Sequence, residues 1–122
     1  MSILFIALAS ICNAIMNKGL FHFHKSIFPQ GVIWWNSQIS WRNKYINSDT
    51  KQGRRKILNT NINYPVQLTD SFHFFKMLLI VFICLSIVTY KPIINMLLDV
   101  LIYGTVWNIT FSLFFDKILA KN

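Results

Sequence analysis

Ionisable and strongly polar side chains are scarce in this chain, so the few that occur in apolar surroundings are the places to look for chemistry. His24, Asp70 and His73 are the set most able to act together. Asp70 and His73 are three residues apart and share a helical face. His24 lies at the end of an apolar segment that should return to the same side. Two imidazoles and a carboxylate make an acceptable ligand set for zinc or another divalent metal. The spacing is not a metal motif. His22 and His24 form an i, i+2 pair, which splays their rings on a helix, and neither HExxH nor HxxxH occurs. The structural alternative has Asp70 capping a helix and His73 lying at an interface.

A second group is polar and sits inside apolar runs: Asn13, Asn17, Asn95 and Asp99. Asn13, Asn17 and His24 follow an i, i+4, i+11 pattern, which places them on one face of a continuous helix. Asn95 and Asp99 are an i, i+4 pair, as are Asn108 and Ser112. Polar groups at such positions turn toward other helices or line a path. Asp99 is expected to pair with Asn95, Asn13 or Ser10, or to line a polar path. A third group, Arg54-Arg55-Lys56, is a sharp basic run suited to phosphate head groups. No glycine-rich phosphate loop, nucleophile elbow or spaced Ser/His/Asp set accompanies these residues.

The composition sets the medium in which these groups act. Of 122 residues, 54% are hydrophobic and 13% charged. A soluble domain carries about 25% charged residues, so a membrane is the expected solvent. The net charge is +8, and half of the Lys and Arg residues lie between Phe28 and Pro65. Beside apolar segments, such a cluster reads as a cytoplasmic loop facing anionic lipid. Nucleic acid is the weaker reading. Cys12 and Cys84 lie in apolar runs without CxxC spacing and read as two small buried thiols.

Three segments are long and apolar enough to position the polar groups. The first is expected at about 2–28 as a retained helix, because no basic residue precedes Lys18 and no small-residue cleavage site stands out. Lys18 would snorkel or face protein. Pro29-Gln30-Gly31 breaks it. A basic loop of about 29–68 follows, with Trp34, Trp35, Trp41 and Tyr45 forming an aromatic belt at the interface. Thr69 or Asp70 is the expected N-cap of a second helix, about 70–90. Lys91-Pro92 separates it from a third, about 93–115. The chain is therefore expected to be a single all-α membrane domain with about three transmembrane helices and a basic, Trp-rich loop. The positive-inside rule places that loop and the C-terminus in the cytoplasm and the N-terminus outside.

The runs WWNSQISWRNKY, PVQLTDSFHFFK and ICNAIMNKGLFHFHKSIF resemble those of short uncharacterised integral membrane proteins of Bacteroidetes-like bacteria and phages. The likeness covers about the first two spans and the loop between them. It implies a bacterial inner (cell) membrane location and transfers no catalytic residue. Two functions remain open from the sequence. One is a component acting by self-association, as a homo-oligomer, or as an accessory or pore-like element with a membrane partner. The other is a metal-dependent hydrolase or transferase acting on a lipid head group at the cytoplasmic face.

Overall fold

The computed structural model describes residues 1–58 and 60–121. It contains three long helices: α1 (Ser2–Phe21), α3 (Ser71–Val88) and α4 (Met96–Leu113). A one-turn helix, α2 (Ser37–Ser40), lies in the loop between α1 and α3. A π turn over Phe114–Ile118 carries α4 onward, giving a 23-residue span. All three long helices have the length and apolarity to cross a bilayer, and the described residues form no strand. The fold is that of a small all-α, three-span membrane protein.

The first helix is shorter than the expected 2–28. It stops at Phe21, because the chain after it has other bonds to make. Phe23–Lys25 winds into a 3-10 turn and Phe23 turns into the core. Next, Ile27 N–H donates to Leu119 C=O, and Lys25 C=O accepts from Lys121 N–H, at 2.9 and 2.8 Å. The C-terminal tail is thus laced to the end of α1. The second helix falls close to its expected position, with Asp70 rather than Thr69 as its cap. The third begins at Met96, after the chain has left the Lys91-Pro92 break.

Helix α1 is the centre of the bundle and packs along both α3 and α4. A third of its span is buried, against 11% for α3 and 6% for α4. Its buried positions are small apart from Lys18: Ser2, Ala9, Ser10, Cys12, Ala14 and Gly19. Small residues let helix backbones approach closely where no hydrophobic effect drives helices together. Gly19 shows the limit of this. A Cβ there would lie 3.2 Å from the Trp35 carbonyl oxygen.

Three contacts set the helix directions. At the start of α1, the Ser2 and Ser86 hydroxyls lie 2.9 Å apart, each within reach of the other residue's carbonyl oxygen at 2.8 and 3.0 Å, so their two protons are shared among these acceptors. Farther along, the Ser10 hydroxyl donates to Trp107 C=O at 2.7 Å. Near its end, the Lys18 ammonium lies 4.4 Å from the centre of the Phe115 ring. Residue numbers fall along α3 and rise along α4 as α1 advances, so α3 is antiparallel and α4 parallel to it. The basic loop and the C-terminal tail share one end. Lys18 faces protein, as one of its two expected positions required, and is 6% exposed.

The loop from Phe23 to Asp70 folds over that end. Trp35 stacks on Phe28 at 4.7 Å and packs beside Phe75, and Trp34 packs on Phe74. These two tryptophans anchor the loop on the first turn of α3. Trp41 stays exposed against the edge of Tyr45, with Arg42 and Lys44 over the two rings. The aromatic run therefore divides into an inward pair and an outward pair.

The Ser2–Ser86 contact tests the packing. Ser86→Ala removes one of its two hydroxyl donors and should lower stability by about 1 kcal/mol, read as a lower midpoint of thermal unfolding in detergent. An unchanged midpoint would mean that α1 and α3 are held by their apolar contacts alone.

Candidate functional site

The head of α3 has the most ordered chemistry in the molecule. Asp70 is 2% exposed and sits at the N-cap in extended backbone geometry. Its Oδ1 accepts from the His73 backbone N–H at 2.8 Å. The His73 ring turns back so that Nδ1 lies 2.8 Å from Oδ1 and 2.9 Å from Oδ2. One carboxylate thus caps the helix and orients the imidazole. A carboxylate can only accept, so Nδ1 carries a ring proton, and in the neutral ring Nε2 is the acceptor. His73 is 35% exposed, and it borders a groove of about 330 Å³ with Gln67, Lys76, Met77, Ile80 and Val81.

His24 does not join this pair. The early end of α1 takes it off the helical face of Asn13 and Asn17, and it lies exposed beside Phe23 and Gln38. Among the described residues, no three His, Cys, Asp or Glu side chains come together as a metal-binding group. Of the three ligands expected from the sequence, the structure brings together Asp70 and His73.

Asp99 has different partners from those expected. Its Oδ2 accepts from the Tyr90 hydroxyl at 2.6 Å and from Ile93 N–H at 3.0 Å, and its Oδ1 accepts from Ile94 N–H at 3.1 Å. The carboxylate holds the Lys91–Asn95 turn, and neither Ser10 nor Asn13 reaches it. Ser10 bonds to Trp107, and the Asn13 Oδ1 and carbonyl oxygen both accept from Asn17 Nδ2. Asn95 accepts from Leu98 N–H with its side chain and so caps α4. Its carbonyl accepts the Asp99 N–H, the only bond between these two residues. The hydrogen bond to Asp99 pushes the Tyr90 phenol up to about 12. A groove of about 330 Å³ opens beside this turn, lined by Ser2, Ser86, Tyr90, Asp99 and apolar side chains.

The basic run does not converge on one point. Arg54 and Lys56 lie in a narrow ribbon, bridged to Tyr45 and Asn63. The Lys56 ammonium donates to Asn63 Oδ1 at 2.6 Å, and Arg55 Nε donates to Tyr45 C=O. The ribbon turns through Gly53, at φ +78°. Both cysteines are free thiols; Cys12 is buried as expected, whereas Cys84 is exposed, because its side of α3 has no helix packed against it.

The outward face of α4 carries polar groups that the fold leaves alone. Gly104, Thr105, Asn108 and Ser112 are all exposed. Thr105 donates to Leu101 C=O, and the space beside Gly104 is open. The Asn108 amide makes none of the side-chain hydrogen bonds formed among the described residues. The i, i+4 spacing of Asn108 and Ser112 marked this face, but sequence alone could not show that it points away from α1. Comparison with protein-family models, curated proteins and solved structures finds no match. The class defined by fold and site is a three-span α-helical membrane protein with a capped Asp–His head and one unpartnered polar face.

Two measurements test these assignments. Asp70→Ala should cost about 1 kcal/mol of stability through the lost cap, whereas Asp70→Asn should cost less because the amide oxygen can still accept; equal losses would remove the capping role. Tyr90 has a folded value above its unfolded one, about 10. Its contribution is therefore complete below pH 10 and is lost as pH rises toward 12. Thermal unfolding in detergent should show that decline, and Tyr90→Phe should flatten it.

Proposed function

We propose that this protein acts by assembling with a second copy of itself inside the membrane, through the Gly104–Asn108–Ser112 face of α4. The observation that carries this reading is the Asn108 amide. It lies twelve residues beyond Met96, about 18 Å along the helix, close to the middle of a hydrocarbon core of roughly 30 Å. There it has no water to bond. An amide carries both donors and acceptors, so two copies of one Asn can satisfy each other across a two-fold axis. Gly104 and Ser112, one turn to either side, leave room for the backbones to approach.

The same reading includes an orientation and a location. The end bearing the basic loop and the tail lies in the cytoplasm, supported by the excess of Lys and Arg there. The membrane is a bacterial inner membrane, supported by the likeness of the WWNSQISWRNKY and PVQLTDSFHFFK runs to short bacterial and phage membrane proteins. Assembly would make the protein an accessory element built around its own interface.

Asn108→Leu keeps the helix apolar and removes the amide. One interhelical hydrogen bond in a membrane is worth about 0.6–2 kcal/mol, so dimerisation should weaken roughly threefold to thirtyfold. Gly104→Ile should weaken it by blocking close approach. Energy transfer between labelled copies in detergent or bicelles measures both. Equal association of wild type and the two variants, or a monomeric wild type in bilayers, would refute the α4 interface.

A further inference from the structure

We propose that the groove at the head of α3 binds an anionic glycerophospholipid with a hydroxylated head group, held by His73, Lys76 and Gln67. His73, Lys76, Met77, Ile80 and Val81 stand at positions i, i+3, i+4, i+7 and i+8, which form one face of the helix. All five line the same groove of about 330 Å³, with Gln67 at its edge. The polar members lie at the loop end. The apolar members follow over the next eight residues, about 12 Å into the span. That order of polar head, then hydrocarbon, matches a phospholipid standing in its own leaflet.

The head of the groove has complementary chemistry. The Lys76 ammonium is exposed and forms no ion pair among the described residues. It is the natural partner of a phosphate at this depth. No carboxylate lines the groove among the described residues, and Asp70, which orients His73, is 2% exposed and directs both oxygens at it, so it offers an anion little opposition. Asp70 also holds the Nδ1 side of the ring, so that in the neutral ring Nε2 is the nitrogen that can accept from a head-group hydroxyl. The Gln67 amide can serve either group. Asp70 and His73 thus act in lipid selection rather than as part of a metal set. The basic ribbon of Arg54, Arg55 and Lys56 supplies only a general positive field.

The full-length protein in detergent micelles tests this by titration with phosphatidylglycerol, phosphatidylcholine and soluble glycerol phosphate. Phosphatidylglycerol should bind, and the other two should not. Lys76→Gln should weaken binding about fivefold, the effect of one basic residue near a membrane surface. His73→Phe should remove the advantage of a hydroxylated head group, and Val81→Trp should weaken binding by filling the apolar half. Wild-type affinity in both Lys76→Gln and His73→Phe would overturn the proposal. So would equal binding of glycerol phosphate, which would mean that the acyl chain is not held. A loss confined to the Arg54→Gln, Arg55→Gln, Lys56→Gln variant would instead assign the effect to the ribbon. None of these readouts depends on association through α4, so the two proposals stand or fall separately.

Discussion

A chain that crosses hydrocarbon must satisfy its polar groups from within, and the rest of this structure depends on that constraint. A helix leaves its first four N–H groups and last four C=O groups without partners. At the edge of a bilayer an unmade bond is more costly than in water. Asp70 closes the start of α3, Asn95 closes the start of α4, and Asp99 takes the two N–H groups of the turn between them. Three of the most conspicuous polar side chains near the spans are therefore committed to backbone. The Ser2–Ser86 contact and the Ser10–Trp107 bond extend the same logic to the packing of α1. Its hydroxyls reach carbonyls on the neighbouring helices because small side chains let those helices come close.

The constraint also explains why the loop folds rather than lying free. Gly19 brings the end of α1 against the Trp35 backbone, and Trp35 in turn stacks between Phe28 and the first turn of α3. This aromatic layer covers the loop end of the bundle. It determines which side chains of α3 remain available. Phe74 and Phe75 face the tryptophans, so His73 and Lys76 face outward. His73 is presented at the surface, oriented by the buried Asp70, because its neighbours in sequence are occupied inside.

Much of this was legible in the sequence, and the rest was not for reasons that can be located. Three spans, their order and the capping role of Asp70 follow from apolar length and local chemistry, which operate within a few residues. The partners of Asp99 were missed because a turn at Lys91-Pro92 folds Tyr90, Ile93 and Ile94 back onto the carboxylate. Sequence spacing suggested the same helix or α1 instead. His24 was placed with Asp70 and His73 on the assumption that α1 continued past Phe21. What ended it was a tertiary contact, the lacing of Lys25 and Ile27 to the C-terminal tail, nearly a hundred residues away in the chain. The division of the aromatic run likewise depends on which residues α3 presents, and that is decided by packing.

Two kinds of unpartnered polar group remain among the described residues, and their depth separates them. The Ser37 and Ser40 hydroxyls and Arg54 Nε are buried without partners, but they belong to the loop layer at the end of the bundle. There a small shift of the loop can bring a carbonyl or water within reach. The Asn108 amide is exposed in mid-span, where neither is available and the helix around it is otherwise regular. Asn13, Asn17, Asn95 and Asp99 have each found a bond inside the chain, whereas the Asn108 amide and the Ser112 hydroxyl form no side-chain hydrogen bond among the described residues. The amide that has not is flanked by a glycine and a serine at four-residue intervals, on a helix whose span is only 6% buried. A monomer would leave that amide in lipid at a cost no contact in the fold offsets, whereas the proposed pairing with a second copy would satisfy it through the same surface that creates the problem.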